Sequence, residues 1–572
     1  MNTAVIYTEK NNCQDCYKCI TKCPVKSIKI EDNSASVISD LCIYCGQCVL
    51  SCPVHAKNYR EDYKKVQWMI DSGEKVVACI APSIITDFKE ISIPEFYSYL
   101  KELGFNGVSE TANGAEIVAQ ESQKWLEDQP NGVYISSCCP SIVNYISIYF
   151  PMLIKNIAPI VSPMVAHGNQ VKKSLGKDVK TVFIGPCIAK KQEADIFSNS
   201  IDVAITFKEL KKWFDDEMLQ KRKISQVLPE NFILGKPSIG NLFPIDGGML
   251  TNMKTNTSVI DFGYMTFSGM KIIKDIINEI PDWKPDKKIF LELMACEGGC
   301  VKGPGMNNRE GLITKREKIL FSSSVSNEFE NITAIAKEGI NTKREFSQLK
   351  TYISCIHSED EIQNVLFSMG KWTEKDELNC TGCGYENCRE FAKAMLDGKA
   401  ERTMCISYMR KVAQDKASIL LQKIPYGVVM VDENLTVIDC NKKFAEMIGG
   451  ETLMIFENNP GLPNADLTKL VSFHKLFSTL LASGEEIIEQ DVRDGDNYYH
   501  VSIISIQKFK IICGIIENFK DPDIQHDIIG NRIQDVIRQN MEAVQRIAYL
   551  LGENASYTES MLNSIIETKQ LK

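Results

Sequence analysis

Val133-Tyr134-Ile135-Ser136-Ser137-Cys138-Cys139-Pro140 is a short apolar run that stops on two adjacent thiols. The pattern recurs twice. Thr181-Val182-Phe183-Ile184 leads into Gly185-Pro186-Cys187-Ile188-Ala189-Lys190-Lys191-Gln192-Glu193, and Ile289-Phe290-Leu291 leads into Glu292-Leu293-Met294-Ala295-Cys296-Glu297-Gly298-Gly299-Cys300. Short continuous apolar runs read as strands buried on both faces. Val76 to Ile80 is another, and helical periodicity fills the intervals at Ile93 to Leu103 and Ala115 to Leu126. Strands alternating with helices predict an α/β domain with sites at the strand ends. Four cysteines from three strand ends suit one 4Fe–4S cubane, and Gly298 and Gly299 let the backbone approach closely.

Towards the N-terminus the chain reads Cys13-x2-Cys16-x2-Cys19-x3-Cys23-Pro24, then Cys42-x2-Cys45-x2-Cys48-x3-Cys52-Pro53. This internal repeat has the spacing of bacterial two-cluster ferredoxins, in which the fourth cysteine of each run ligates the other cluster. Cys13, Cys16, Cys19 and Cys52 are expected at one 4Fe–4S cluster, and Cys42, Cys45, Cys48 and Cys23 at the second. The doubled run weighs against free thiols or a pair of zinc sites.

Towards the C-terminus, Cys380-x2-Cys383-x4-Cys388 and then Cys405 resemble a small one-cluster 4Fe–4S domain, with a zinc knuckle as the other use of such spacing. Beyond it, Ile424 to Asn434 and Thr436 to Phe444 read as two strands around an Asp-Glu-Asn turn, with Asn441 capping a helix. They resemble the opening of a PAS domain, a sensory and dimerisation module. Strands at Glu486 to Val492, Tyr498 to Ile506 and Phe509 to Ile516 would complete its sheet. Cys440 and Cys513 read as small buried apolar residues, and His474 and His500 as ordinary residues rather than haem ligands. From Asp527 to Leu571 an apolar stripe including Ile533, Val536, Ile547 and Leu550, with Asn540 among it, predicts a helix that packs on the PAS domain or pairs with a partner.

The bulk numbers frame these motifs. A chain of 572 residues is too long for one core. Its net charge of −9 argues against nucleic acid as the main partner. With no apolar signal core and no run near the ~20 residues of a membrane span, a cytoplasmic protein is expected. In a reducing cytosol, 21 cysteines in tight runs, beside only six histidines, read as metal ligands rather than disulfides.

The three strand-end motifs, with the ferredoxin segment before them, resemble the signature of the FeFe hydrogenases over about residues 1 to 345. The resemblance implies that Cys139, Cys187, Cys296 and Cys300 bind the cubane of the H-cluster. Cys300 would bridge to a diiron subsite carrying CO, cyanide and a dithiolate amine. Cys138 matches the family's proton-relay thiol, although a structural buried thiol is the plainer alternative. Lys190 and Ser162 match neighbours of the cyanides, Glu193 a buried acid, Met294 a residue packed on the diiron unit, and Ala81-Pro82 a patch of pocket wall.

Departures from the family pattern are as informative. Gly185 stands where a methionine is usual, and Gly303-Pro304-Gly305 interrupts the usual glycine run. Ser122 and Trp125 take the places of two relay glutamates, with Glu121 beside them, and Ala158 replaces a relay serine. A broken relay should slow proton delivery, since general acid–base steps are worth ~100- to 10,000-fold.

The expected fold class is multidomain, α+β and α/β. It comprises a two-cluster ferredoxin-like domain (1–62), an FeFe-hydrogenase H-cluster domain (63–345), a single 4Fe–4S domain (346–412), a PAS domain (413–520) and a helical signalling or dimerisation segment (521–572). The leading functional expectation is a low-turnover sensory hydrogenase. It would exchange H2, protons and electrons, take or give electrons through a ferredoxin-like partner, and signal as a homodimer to a kinase or phosphatase. Two alternatives are a ferredoxin-linked catalytic hydrogenase and a non-enzymatic iron–sulfur scaffold lacking the diiron subsite.

Overall fold

The computed structural model describes residues 4–31, 34–88, 91–217, 231–253, 262–307, 310–324, 339–346, 357–495, 497–519 and 541. They divide into two compact units, Met1–Glu401 and Arg402–Lys572.

The first unit opens with the cysteine repeat. Strand Ile6–Thr8 pairs antiparallel with Lys57–Tyr59, and Ile28–Glu31 pairs with Ser34–Val37. Each half carries a short helix, Lys18–Lys22 or Gln47–Ser51, entered from a left-handed residue, Tyr17 (φ 56°) or Gly46 (φ 73°). The sequence repeat is therefore also a conformational repeat.

Two parallel sheets follow. One has the order Gly107–Glu110, Val76–Ile80, Lys180–Gly185, Val203–Thr206, and the other Phe262–Ser268, Lys288–Met294, Gly132–Ile135. All five residues of Val76–Ile80 are buried, as a strand covered on both faces requires. Three strands end within four residues of a cysteine motif: Ile135 before Cys138, Gly185 before Cys187 and Met294 before Cys296. The crevice beyond the carboxyl ends of parallel strands is where α/β folds bind ligands.

The unit closes with helices Glu359–Ser368 and Cys388–Leu396. Ser358 and Glu361 cap the first reciprocally, and Asn387 caps the second. Asn379 (φ 46°) and Thr381 (φ 60°) turn the loop that carries Cys380.

The second unit holds a helix, Ile406–Lys423, and a five-stranded antiparallel sheet ordered Val437–Cys440, Gly427–Val431, Ile511–Phe519, Asn497–Gln507, Ile487–Asp494. Its core joins Val429, Phe444, Phe477, Val501 and Ile512. Asn441 caps helix Lys442–Ile448 and does more: its amide donates to the carbonyls of Tyr426 (2.8 Å) and Leu421 (3.0 Å), while its oxygen accepts from Val428 and Phe444. Cys440 and Cys513 are buried, and His500 is held by Asp491 at 2.6 Å. Except for residue 541, the expected C-terminal helix lies outside the described residues. Among the described residues no helix is long and apolar enough to cross a membrane.

Candidate metal centre

The three strand-end loops converge on one cavity of about 120 Å³, whose wall includes Cys139, Cys187, Cys296, Cys300, Cys138 and Lys190. By this measure one water needs ~10–15 Å³, so the space suits a bound group rather than a trapped solvent molecule. Cys139 sits at the N-terminus of helix Pro140–Tyr149, with proline at its first position. Gly298 and Gly299 take φ of 81° and 93°, and a Cβ on Gly299 would lie 2.4 Å from the Pro244 carbonyl oxygen. Only glycine allows Cys296 and Cys300 to reach the same cavity by this route.

The chemistry of the donor set supports a cluster. Burial raises the Cys187 thiol to about 11, with Cys139 adding to the effect. Cys296 is pushed well up by burial, then by Cys187, Cys300, Cys139 and Cys45. Burial and neighbouring thiols likewise raise Cys300, so three of the four thiols need positive charge among them to ionise, and iron supplies it. Among the described residues no three His, Cys, Asp or Glu side chains stand close enough for a single metal ion. The thiols ring a space instead.

Cys45 belongs to the ferredoxin segment and also lines the cavity. Burial raises its thiol, and its nearest cysteine charges are Cys23, Cys48 and Cys42. Those on Cys19 are Cys16, Cys13 and Cys52. The thiols that act on Cys45 and on Cys19 thus form two different sets, and Cys45 faces the cavity. In the small C-terminal segment Cys380, Cys383 and Cys388 lie in the first unit, and Cys405 precedes helix Ile406–Lys423 of the second.

Lys190 and Glu193 lie one turn apart on helix Ala189–Ile196, joined at 2.7 Å. The Ser162 hydroxyl donates to Glu193 at 2.8 Å, and Arg344 pairs with its other oxygen at 3.0 Å. Burial alone would raise the Glu193 carboxyl; Lys190, Arg344 and Ser162 outweigh it and hold the carboxyl below its ordinary range. Lys190 reaches the cavity wall, whereas next to Ser162 it is Pro163 and Met164 that do. Met294 and Ala81-Pro82 also line it. Arg344 escapes a reading by motifs because it lies some 150 residues further along, with no companion to mark it.

At Gly185, where the resemblance expects methionine, a Cβ would fall 2.5 Å from the Phe183 ring. Phe183 lines the cavity in its place. A side chain at position 185 would therefore compete with Phe183 for the same stretch of wall.

Cys138 is held at full length. Its N–H bonds the Ser136 hydroxyl (3.3 Å), and its thiol meets the Met249 sulfur at 3.5 Å. Burial raises it to about 12, so it is a neutral donor. Glu292 also faces the cavity. One oxygen accepts the Met249 N–H at 3.2 Å, and the other has no hydrogen-bond partner among the described residues. Burial raises this carboxyl to about 7, against the pull of the Met249, Leu250 and Gly247 N–H groups. An acid poised near neutrality at a cavity wall is the type that moves protons. Glu292 opens the third cysteine motif, and an acid inside the apolar strand Lys288–Met294 is the signal in the sequence that marks it.

The altered relay positions carry no such acid. Ser122 is buried, with its hydroxyl unpartnered among the described residues, and Trp125 packs edge-on against Tyr134. Glu121 is half-buried and paired with Lys124. Ala158 is fully buried.

Comparison with known proteins agrees with this geometry. Residues 74–304 match the family model for the iron only hydrogenase large subunit, C-terminal domain. Residues 5–53 match a 4Fe-4S dicluster domain, 376–407 a putative Fe-S cluster domain and 418–477 a PAS domain. Iron hydrogenase 1 of Clostridium pasteurianum is 26% identical over 307 residues, which cover 44% of this chain and 54% of that protein. The periplasmic [Fe] hydrogenase large subunit of Nitratidesulfovibrio vulgaris is 24% identical over 269 residues, 38% of this chain and 63% of that one. The match thus spans somewhat over half the length of these relatives. An FeFe-hydrogenase structure from Chlamydomonas reinhardtii aligns over 51% of this chain and 100% of its own, at 17% identity and TM-score 0.38. Residues 74–304 are thus similar to the C-terminal domain of the iron only hydrogenase large subunit, and they stand between and beside segments that match dicluster, putative Fe-S cluster and PAS domains.

Proposed function

We propose that this protein is a sensory FeFe-hydrogenase, which equilibrates with H2 at an H-cluster and passes its redox state through 4Fe–4S clusters towards the PAS segment. The observation that carries this reading is four thiols from three strand ends around one cavity beside Lys190 and Cys138, with no carboxylate at the altered relay positions Ser122 and Trp125.

Cys139, Cys187, Cys296 and Cys300, which line one cavity, would hold the H-cluster. When bound, that group supplies the open metal site and internal base that split H2 reversibly. Lys190, fixed by Glu193, offers a charge-assisted donor to anionic ligands in a low-dielectric wall. Phe183 and Met294 keep water out. Cys138 gives up its thiol proton and is reprotonated, so that it carries no lasting charge, and Glu292 is the next acid at the cavity wall. Electrons leave through the cluster that contains Cys45.

Cys13, Cys16, Cys19 and Cys52 would hold the other ferredoxin cluster, facing an external redox partner, and Cys380, Cys383, Cys388 and Cys405 the third. The PAS segment supports a protein partner for output, a kinase or phosphatase, with a second copy of this chain. Film electrochemistry of the loaded full chain tests the sensory claim: a small, slow, reversible current is expected, and turnover equal to that of fast hydrogenases overturns it.

A second reading, a working ferredoxin-linked hydrogenase, is favoured by Cys138 standing with Glu292 at the wall. The same current distinguishes the two.

A further inference from the structure

The small cysteine segment near residue 380 does not hang free of the ferredoxin repeat within the first unit. The Lys26 ammonium donates to the Gly384 carbonyl at 2.7 Å, and also to the carbonyls of Ile20 (3.0 Å) and Thr21 (3.2 Å) that end helix Lys18–Lys22. It stands 5.9 Å from the centre of the Tyr385 ring. Gly384 takes φ +88°, and a Cβ there would fall 2.9 Å from the Ile20 side chain and 3.2 Å from the Thr21 nitrogen. The two segments therefore meet backbone to backbone, at a spot where only glycine fits. Tyr385 is buried, its hydroxyl without a hydrogen-bond partner among the described residues. The hydroxyl therefore adds nothing to the contact, which is held by its shape and by Lys26.

The cysteines on each side of the contact fix what it joins. The thiol charges that act on Lys26 are Cys23 and Cys383, and the same two act on Tyr385. Cys23 groups with Cys42, Cys45 and Cys48, and Cys45 in turn lies beside Cys296 at the hydrogenase cavity. One ferredoxin cluster thus has the active-site cubane at its Cys45 end and the Cys383 segment at its Cys23 end.

We infer that the ferredoxin repeat is a branch point, in which the Cys23 and Cys45 cluster hands electrons directly to the third cluster across the Lys26–Gly384 contact, bypassing the Cys13, Cys16, Cys19 and Cys52 cluster. This rests on the reading above that Cys380, Cys383 and Cys388 serve a 4Fe–4S cluster. In the step one electron leaves a reduced cluster, which is oxidised, and enters an oxidised third cluster, which is reduced; no proton moves. The electrons come from H2, which yields two protons and two electrons. Lys26 is a positioning residue that closes the gap between two anionic clusters. The distal ferredoxin cluster is left for exchange with an outside carrier, so sensing and turnover draw on separate arms.

The test uses the full chain with its 4Fe–4S clusters reconstituted and the diiron subsite left out, reduced with dithionite and read by low-temperature electron paramagnetic resonance. Wild type is expected to show spin–spin broadening of the third cluster's signal, and a C13S/C16S chain lacking the distal cluster should keep it. K26M and G384A, which loosen the contact from opposite sides, should both lose the broadening while the ferredoxin clusters' own signals persist. Broadening that survives both variants, or that vanishes with the distal cluster, overturns the branch. If C380S binds as much iron as wild type, there is no third cluster, and the reading and the branch both fall; iron present without broadening in wild type overturns the branch alone.

Discussion

At the scale of single residues the account turns on which side chains face the cavity and what holds them. Cys138 and Glu292 share its wall, and Glu292 carries an oxygen with no partner among the described residues. Glu292→Gln should lower H2 turnover ~100-fold or more, the usual worth of an acid–base step, while the infrared bands of the loaded site stay in place. Equal turnover would remove Glu292 from the proton route. Arg344→Met leaves Glu193 buried with Lys190 as its one remaining cation, and breaking such a buried pair costs about 3–5 kcal/mol. A thermal midpoint unchanged from wild type would show the pair to be dispensable. The cysteines and Lys190 were legible because they come in spaced sets. Glu292, Met249 and Arg344 were not, since the partners that give each its role, Met249 for Glu292 and Glu193 for Arg344, lie far away along the chain. Gly185 was legible as a departure, but the Phe183 ring that fills the space beside it needed coordinates.

At the scale of elements, apolar runs ending on cysteine motifs gave the strands of the hydrogenase domain, because strands buried on both faces leave little choice of residue. The helix Ile406–Lys423 was less legible. Its Arg410, Lys411, Asp415 and Lys416 give no continuous apolar stripe, and it runs unbroken past residue 412, where the sequence suggests a boundary. The cap at Asn441 was legible from the strand–Asn–helix order, although its bond to Leu421 at the end of that long helix was not. Asn441→Ala removes a cap and three further bonds, and should destabilise the PAS unit by about 2–4 kcal/mol. Chemical unfolding followed by the unit's own circular dichroism would check it, and a loss below 1 kcal/mol would contradict the network's importance.

At the scale of the whole molecule, stability should carry a signature of buried His167. Its imidazole bonds Ser109 at 2.8 Å, and burial lowers its pKa to about 3. Unfolded, it takes a proton near pH 6.5. Between these values the unfolded chain binds more protons, so stability falls as pH drops, by about 1.4 kcal/mol per pH unit for this group. Glu292, raised to about 7, acts oppositely, because its folded form holds a proton that its unfolded form releases. The clean comparison is therefore between chains: His167→Gln should lose less of its thermal midpoint than wild type between pH 7 and 5. Parallel losses would contradict the assignment.

The measurement that reaches the central claim most directly is infrared spectroscopy of the full chain after its diiron subsite is supplied. The account predicts sharp bands from metal-bound CO and cyanide, with the cyanide bands shifted in Lys190→Met because that cation faces the cavity. A chain that holds its iron–sulfur clusters yet shows no such bands would contradict it, and would leave an iron–sulfur scaffold in place of a hydrogen sensor.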